Sequence, residues 1–122
     1  MYDYDKVYIL GNLTKDPILR NSNDGNIICD MRVAVNNKWY DKNGFLSENV
    51  EFFNITAWNR QAKNCIESLV KGDRIMVSGH LNNSLVEDEG SKNGKSFLNI
   101  NADSVSASLE FSKVKVLRDK TV

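Results

Sequence analysis

The chain has 122 residues, of which 41% are hydrophobic and 26% are charged, and its formal net charge at pH 7 is zero. A chain of this length is typically one domain that buries roughly two thirds of its unfolded surface, and the composition excludes a disordered or a membrane class. Zero net charge argues against binding of duplex DNA by a generally basic surface, although it leaves room for a basic groove balanced by acids elsewhere.

The first half of the chain predicts consecutive β-strands. Residues 6–13 form a short apolar run, and residues 26–40 alternate apolar and polar side chains, as a half-buried strand does. An Asn-Gly pair at 43–44, the pattern most typical of a tight hairpin, precedes a further strand at 50–58. These segments predict an antiparallel meander.

The second half predicts one helix and then another hairpin. Apolar residues between 59 and 70 follow the spacing of a helix that buries one face. Residues 73–81 alternate again, with Gly79 at an expected bend or bulge. A polar stretch at 87–95 carries a second Asn-Gly pair and precedes a strand at 96–105.

The order of these elements predicts an all-β protein with the OB-fold, a five-stranded Greek-key barrel with one helix between strands 3 and 4. The helix would plug the open end of the barrel. We assign residues 1–107 to this domain and residues 108–122 to a C-terminal extension. The extension contains an alternating run at 109–117, which predicts an additional strand that the barrel does not need.

The strand at 50–58 has two unlike faces, because successive side chains point to opposite sides. Phe53, Ile55 and Ala57 share one face and predict an ordinary core. The other face combines polar and aromatic side chains: Phe52, Asn54, Thr56 and Trp58. Two large rings on a solvent-facing side of a strand are unusual. Trp39 is grouped with them, because the apolar alternation of the strand at 26–40 ends at Val35 and Trp39 is therefore expected to be exposed.

Basic residues are interleaved with these rings or lie near them in the sequence: Lys15, Arg20, Arg32, Lys38, Lys42, Arg60, Lys71 and Arg74. Every base of unpaired nucleic acid offers a face for stacking, and every nucleotide offers a phosphate for a cation. The pattern therefore favours binding of single strands, while duplex binding would need a free helix for the major groove. Rings on a wet face are also typical of a subunit interface, and composition alone leaves these two interpretations near even.

Residues that carry catalysis or hold a cofactor are not apparent. His80 is the sole histidine, and the acids at 87–89 are typical of a solvated hairpin turn. Cys29 and Cys65 fall at apolar positions without a CxxC pair, which predicts buried reduced thiols. No phosphate-binding glycine loop or nucleophile motif is present. We predict a protein that is not an enzyme and that uses no metal or cofactor.

Targeting and membrane segments are not apparent either. No apolar run approaches the roughly 20 residues that a membrane span needs. The start of the chain lacks the charged-then-apolar layout of a signal peptide. We expect a cytoplasmic protein that makes no membrane contact.

The sequence resembles the bacterial single-stranded DNA-binding protein family over about residues 5–107. The resemblance rests on KVYILGNLTKDPILR, VAVNNKW, DKNG, EFFNITAWNRQAKNCIESLVKGDRIMVSGHL and ADSV, which occur in the family's order. The continuation SASLEFSKVKV resembles the actinobacterial branch, in which an extra C-terminal strand clasps the neighbouring subunit.

The resemblance implies a homotetramer of OB-folds that wraps single-stranded DNA without sequence preference during replication, recombination and repair, in association with the nucleoid. It implies stacking platforms at Trp39, Phe52 and Trp58. It also implies phosphate contacts at five basic residues: Lys6, Arg20, Lys42, Arg60 and Lys71. Phe53 and His80 lie near the family's subunit contacts.

The chain departs from the family in two places. The family has a basic run that ends in an aromatic residue where this chain has NNSLVE at 82–87, so a fourth platform is missing at Val86. The family's acidic C-terminal tip, which recruits replication and repair proteins, is also missing from the sequence. We expect weaker DNA binding and reduced docking of those proteins, in either a natural member without the tail, of the kind linked to competence or chromosome segregation, or a shortened chain, with the natural member favoured.

Two rival functions remain open. A primosome-type OB protein of replication restart would share the barrel but act as a dimer, and the altered 82–87 segment favours it. The ring set and the clasp strand favour the first interpretation. An interaction module without nucleic-acid binding would bury the same rings between subunits.

Overall fold

Six strands and one helix make up the part of the chain that the computed structural model describes, which is residues 3–87 and 96–118, with the backbone alone for 83–87 and 96–97. In chain order the elements are β1 Val7–Leu13, β2 Ile18–Asn21, β3 Ile27–Tyr40, β4 Leu46–Trp58, α1 Asn59–Ser68, β5 Arg74–Glu87 and β6 Ser96–Ala107. The predicted helix and the predicted barrel strands are all present, but β4 begins before its predicted start at residue 50 and β5 continues past its predicted end at residue 81.

The strands close into a barrel. Their order is β1-β5-β6-β4-β3-β2, and an additional pairing of β1 with β3 closes five of them into the barrel, with β2 paired to β3 outside it. The hairpin of β3 and β4 is the longest antiparallel pair, whereas β4 and β6 run parallel. This connectivity confirms the predicted OB-fold with one helix between the third and fourth barrel strands.

The core fills the barrel with the inward side chains of every barrel strand. The largest fully buried side chains of this core are Met31, Ile55, Ile75, Ile100, Val33, Val77 and Cys29; Ile28 is also buried but lies on the opposite face of β3. Phe53 is half-buried and packs against this cluster. The inward alternation of β3, β4 and β5 therefore produces the core that their sequence predicts.

The helix packs on the barrel through its apolar stripe. Ala62 and Cys65 are buried on the face that meets the strands. Asn59 begins the helix with φ 54°, a left-handed conformation that asparagine tolerates, and its side chain accepts a hydrogen bond from the Ile27 amide at 3.1 Å. Within the described residues, no helix has the length and apolar character needed to cross a membrane.

Cys29 and Cys65 meet between β3 and α1 as buried free thiols, as predicted. The pKa of Cys29 lies far above its usual range, because the neighbouring Cys65 sulfur and burial both disfavour its thiolate. The pair thus behaves as core packing.

The extra strand of the fold is not the one that the sequence predicted. It is β2, whose four residues pair with the start of β3 in the register Ile18↔Asp30 to Asn21↔Ile27. Residues 108–118 form no strand in the single chain, where no partner subunit offers an edge. The pairing of 109–117 with a neighbouring subunit stays a prediction.

Arg74 anchors the start of the C-terminal extension to the barrel. Its Nε donates to Glu110 at 3.0 Å, and its guanidinium lies 5.8 Å from the centre of the Phe111 ring. The Ser108 amide donates to the Arg74 carbonyl at 2.9 Å. The extension therefore leaves the barrel in a defined direction from the start of β5.

The second hairpin is bulged at the predicted glycine. The pairing of β5 with β6 shifts register between Ser78 and Gly79. The turn of this hairpin lies outside the described residues. So does the side chain of Val86, the position at which the family's fourth platform is missing.

His80 ties the segment before β1 to β5 and β6. Its Nδ1 lies 2.6 Å from the Asp5 carbonyl oxygen, and its Nε2 lies 2.9 Å from Asp103 Oδ2. Both nitrogens face acceptors, so only the charged imidazolium can donate to both. The pKa of His80 is raised by the hydrogen bond to the Asp5 carbonyl and then by the negative charge of Asp103.

We expect this cluster to make stability depend on pH. A raised pKa means that its contribution is complete below the ordinary histidine value of 6.5 and is lost as the pH rises through the higher pKa of folded His80. The measurement is urea unfolding of the wild type and of His80→Gln, at one protein concentration, from about pH 6 to about pH 9. The stability advantage of the wild type should shrink with rising pH; a constant or growing advantage contradicts the prediction.

Candidate nucleic-acid interface

The solvent side of the β3–β4 hairpin carries the predicted rings. Phe52 lies opposite Ala34 and Trp58 lies opposite Ile28, so both rings are on one face, which we call the outer face. Their side chains are 37% and 40% exposed, respectively. Six positions of an extended strand separate them by about 20 Å, a length that several stacked nucleotides would occupy.

Polar side chains fill the outer face between the rings. Strand register aligns Arg32 of β3 with Asn54 of β4, Asn54 with Asn99 of β6, and Asn99 with Asn82 of β5. These residues line a recess of about 300 Å³, which we call the amide recess; Lys15, Arg20, Asp30 and Thr56 also contribute to it. A polar recess between the two rings is thus a feature of the folded barrel.

Hydrogen bonds order the amide recess. Arg32 Nε donates to Asn54 Oδ1 at 3.3 Å, which orients that amide. Asn99 is only 6% exposed, although its side chain is polar. A buried amide is retained only where polar contacts satisfy it, so the Asn99 side chain is held by partners within the fold.

Arg20, a predicted phosphate contact, is already paired. Its Nε donates to Asp30 Oδ2 at 2.5 Å, and this hydrogen bond raises the pKa of the guanidinium. Both side chains are partly exposed, so solvent weakens the pair. The Asp30 carboxylate also places a negative charge beside the path that a phosphate would take.

We expect Asp30→Asn to strengthen the binding of single-stranded DNA. The change releases Arg20 and removes a negative charge from the outer face, so the slope of log affinity against log salt should steepen by roughly 0.7 for one more neutralised phosphate. Titration with oligo-thymidylate at several salt concentrations measures this. Glu67→Gln makes the same change of net charge on α1 and is the control; an equal gain in both variants contradicts the prediction.

Trp39 and Lys42 lie at the far end of the hairpin. Trp39 is opposite Ser47 and is 47% exposed, in agreement with its predicted departure from the core. Its odd position puts it on the other parity from Phe52, so the register does not align it with the outer face. Lys42 is exposed in the turn that follows, so this pair forms a separate cluster at the hairpin tip.

The remaining predicted contacts are spread over the barrel. Arg60 is exposed in the first turn of α1, two residues after Trp58. Lys71 is exposed beyond the helix, where its amide donates to Asp16 at 2.7 Å. Lys6 precedes β1, with its Nζ 5.8 Å from the centre of the Tyr8 ring. The register thus places Phe52, Trp58 and Arg20 on one face, whereas Lys6, Arg60 and Lys71 lie outside the strands that form that face.

The sequence did not single out Asn99 and Asn82. Asn99 sits in an alternating strand where a polar residue indicates only a solvent-facing position, and Asn82 lies in the segment that departs from the family. Register across β4, β6 and β5 aligns them. In the sequence, the cue to this row of amides is Asn54, a polar residue that lies between Phe52 and Trp58 on one face of β4.

Comparisons with known proteins agree with this fold. The family model described as "Single-strand binding protein family" matches residues 4–108. The chain is 35% identical over 82 residues to single-stranded DNA-binding protein 2 of Chlorobaculum tepidum, covering 66% of this chain and 55% of that protein. It is 31% identical over 115 residues to the single-stranded DNA-binding protein of Paenarthrobacter aurescens, covering 92% of this chain and 66% of that protein.

Among solved structures, a deletion mutant of the single-stranded DNA-binding protein from Thermus aquaticus superimposes with a TM-score of 0.73 at 27% identity. The match covers 88% of this chain and 52% of that one. The chain thus spans about half to two thirds of the length of these three relatives. Because the family model covers most of the residues and the barrel is the one found in its solved relatives, the chain belongs to the single-strand binding protein family.

Proposed function

We propose that this protein binds single-stranded DNA by stacking bases on Phe52 and Trp58 and by pairing phosphates with nearby cations. The observation that carries the proposal is the outer face itself, where two half-exposed rings flank a polar floor. The curated relatives named as single-stranded DNA-binding proteins support it. The ring platforms accept any base, so the protein coats DNA of any sequence.

In this proposal, base stacking supplies the binding free energy, and contacts between cations and phosphates supply the salt dependence of DNA binding. A base stacked on an aromatic side chain contributes about 1 to 3 kcal/mol, whichever base it is. Arg60 beside Trp58, Lys42 and Trp39 at the hairpin tip, and Lys6 and Lys71 farther round the barrel extend the path for a longer strand. We assign no catalytic step to this surface.

The proposed assembly is a homotetramer. On the solvent side of β1 and β5, Tyr8 is 63%, Leu10 39% and Met76 46% exposed, and Leu10 pairs directly with Met76. Such an apolar patch, away from the outer face, suits contact with a second copy of the chain. We further propose that residues 109–117 pair with a neighbouring subunit and that the assembly protects DNA during replication, recombination and repair at the nucleoid.

Titration with oligo-thymidylate tests the proposal. Fluorescence of Trp39→Phe reports on Trp58 alone, and fluorescence of Trp58→Phe reports on Trp39 alone. We expect quenching of Trp58 at low salt that weakens as salt rises; no quenching of either residue at low salt refutes DNA binding.

Light scattering tests the assembly. The mass of four chains supports the homotetramer, whereas the mass of two supports a restart-type dimer. Tryptophans that are shielded in the free oligomer and unresponsive to DNA support an interaction module.

A further inference from the structure

The outer face continues beyond Phe52 towards the tip of the hairpin. Strands β3 and β4 stay paired as far as Tyr40 and Leu46, which lie directly opposite each other. Every second residue of a strand points to the same side, and residues opposite each other in an antiparallel pair share a face. Tyr40 and Leu46 therefore lie on the outer face, whereas Trp39 has the other parity. The face carries a third ring.

The three rings of the outer face are evenly spaced along the hairpin. Six positions of β4 separate Trp58 from Phe52, and six more separate Phe52 from the pair of Leu46 and Tyr40. Each interval is about 20 Å long at about 3.3 Å per residue, and strand twist turns the face gradually around the hairpin. A single strand that leaves Phe52 thus reaches the next ring after a stretch as long as the one it has just crossed.

Tyr40 is held in solvent by an ordered turn. Its side chain is 75% exposed, which makes it more accessible than either of the other two rings on this face. The carboxylate of Asp41, the next residue, accepts hydrogen bonds from the amides of Asn43 and Phe45 at 2.9 Å each. The Asp41 amide also donates to the Phe45 carbonyl at 2.9 Å. Because the turn fixes the backbone that carries the ring, binding does not have to order it.

The charges around Tyr40 suit a nucleic-acid strand better than a protein surface. Lys38 lies two positions before it on the same face, and Lys42 is exposed in the turn just after it. Lys38 pairs with Glu48 at 4.0 Å, but both side chains are largely exposed, so solvent weakens the pair. Lysine and glutamate are depleted at protein interfaces, whereas a ring between cations provides for both a base and its phosphates.

We propose that Tyr40 is a third stacking platform, at the hairpin tip, for the strand that crosses Trp58 and Phe52. This inference rests on the proposed binding of single-stranded DNA by those two rings and extends the path of the strand along the whole hairpin. Any base can stack on Tyr40, so the platform adds length to the binding site and no sequence preference. Lys38 contacts a phosphate between Phe52 and Tyr40.

Tyr40→Ala should weaken the binding of an oligo-thymidylate that is long enough to reach all three rings by at least about fivefold, the usual loss for one stacked base. The slope of log affinity against log salt should stay unchanged, because the substitution removes no charge. Anisotropy of a labelled oligonucleotide at several salt concentrations measures both quantities. The side chain is mostly exposed, so its removal costs little packing and the variant is expected to fold.

Two further substitutions separate stacking from apolar contact. Tyr40→Phe keeps a ring and should bind like the wild type. Tyr40→Leu keeps an apolar side chain without a π-face and should lose about as much affinity as Tyr40→Ala. Tyr4→Ala is the matched control, because it removes another exposed tyrosine, one that precedes β1, and it should leave binding unchanged.

Probe length locates the platform. Oligo-thymidylates too short to extend from Trp58 to Tyr40 should bind the wild type and Tyr40→Ala nearly equally, because the interval between Phe52 and Trp58 remains available. The loss in Tyr40→Ala should then appear as the probes become longer. A loss of the same size at every length would contradict a separate platform at the tip.

The outcomes distinguish this inference from the proposed function. Unchanged affinity of Tyr40→Ala for long probes, full affinity of Tyr40→Leu, or a loss in Tyr40→Phe equal to that in Tyr40→Ala overturns the platform. A change in the mass of the oligomer by light scattering would assign Tyr40 to a protein contact and would overturn it too. Stacking on Phe52 and Trp58 would stand in each case. Failure of the wild type to bind any probe would overturn the proposed function itself.

Discussion

Trp58→Ala is expected to weaken the binding of oligo-thymidylate by about fivefold to 150-fold, because the loss of one stacked base costs about 1 to 3 kcal/mol. The ring is 40% exposed at the end of β4, where it faces solvent beside the polar floor of the outer face. The measurement is a titration at low salt, followed by anisotropy of a labelled oligonucleotide so that the lost tryptophan does not remove the signal.

Two further variants separate stacking from charge. Lys42→Ala should reduce affinity less than Trp58→Ala and should reduce the steepness of the salt dependence by roughly 0.7. Tyr4→Ala removes an exposed ring that precedes β1 and has no stacking role in the proposal, so it should leave binding unchanged. If Lys42→Ala costs more affinity than Trp58→Ala, the roles of stacking and phosphate contact have been assigned to the wrong residues.

Gly11→Ala is expected to lower the free energy of unfolding by about 3 kcal/mol, the upper end of the usual cost of overpacking. A Cβ at Gly11 would overlap the Ala34 carbonyl oxygen and come within 2.7 Å of Val33 Cγ1. These residues belong to the pairs that close the barrel, Asn12↔Ala34 and Leu13↔Val33. Strand β1 cannot shift away from these atoms without breaking the pairs that close the barrel, which we call the barrel seam. The substitution therefore destabilises the closed barrel.

Gly25→Ala is the comparison for this effect. Gly25 has φ 87°, but a Cβ added to it would meet nothing within 4 Å, so alanine there carries only the left-handed backbone cost of about 1 to 2 kcal/mol. Urea unfolding followed by circular dichroism measures both variants. A Gly11→Ala protein as stable as Gly25→Ala would show that the seam can relax.

Short-range patterns in the sequence predict most of the fold. The alternation in β3 and β4 separates core from solvent at each position, and the change to helical spacing after Trp58 marks α1. These patterns succeed because burial of one face sets the periodicity of each element. Strand β2 was not predicted because its four residues are all exposed and carry no alternation of burial.

The candidate site, like the fold, could be predicted from the sequence only where it depends on a single strand. Phe52 and Trp58 could be identified from parity within a single strand, since two rings among polar residues stand out in the sequence. Trp39 was correctly predicted to be exposed, but its distance in register from the other rings depends on the pairing of β3 with β4. The neutralisation of Arg20 by Asp30 depends on β2, which the sequence did not predict.

By itself, the sequence determined the class of fold, the exposure of Phe52 and Trp58 on one strand face and the resemblance to single-strand binding proteins, because each depends on residues close together in the chain. The tertiary structure alone decided that Asn54, Asn99 and Asn82 form one row and that Gly11 lies against the barrel seam. Those relations join strands that are distant in sequence, and their register is set by the packing of the whole barrel, which no local pattern encodes.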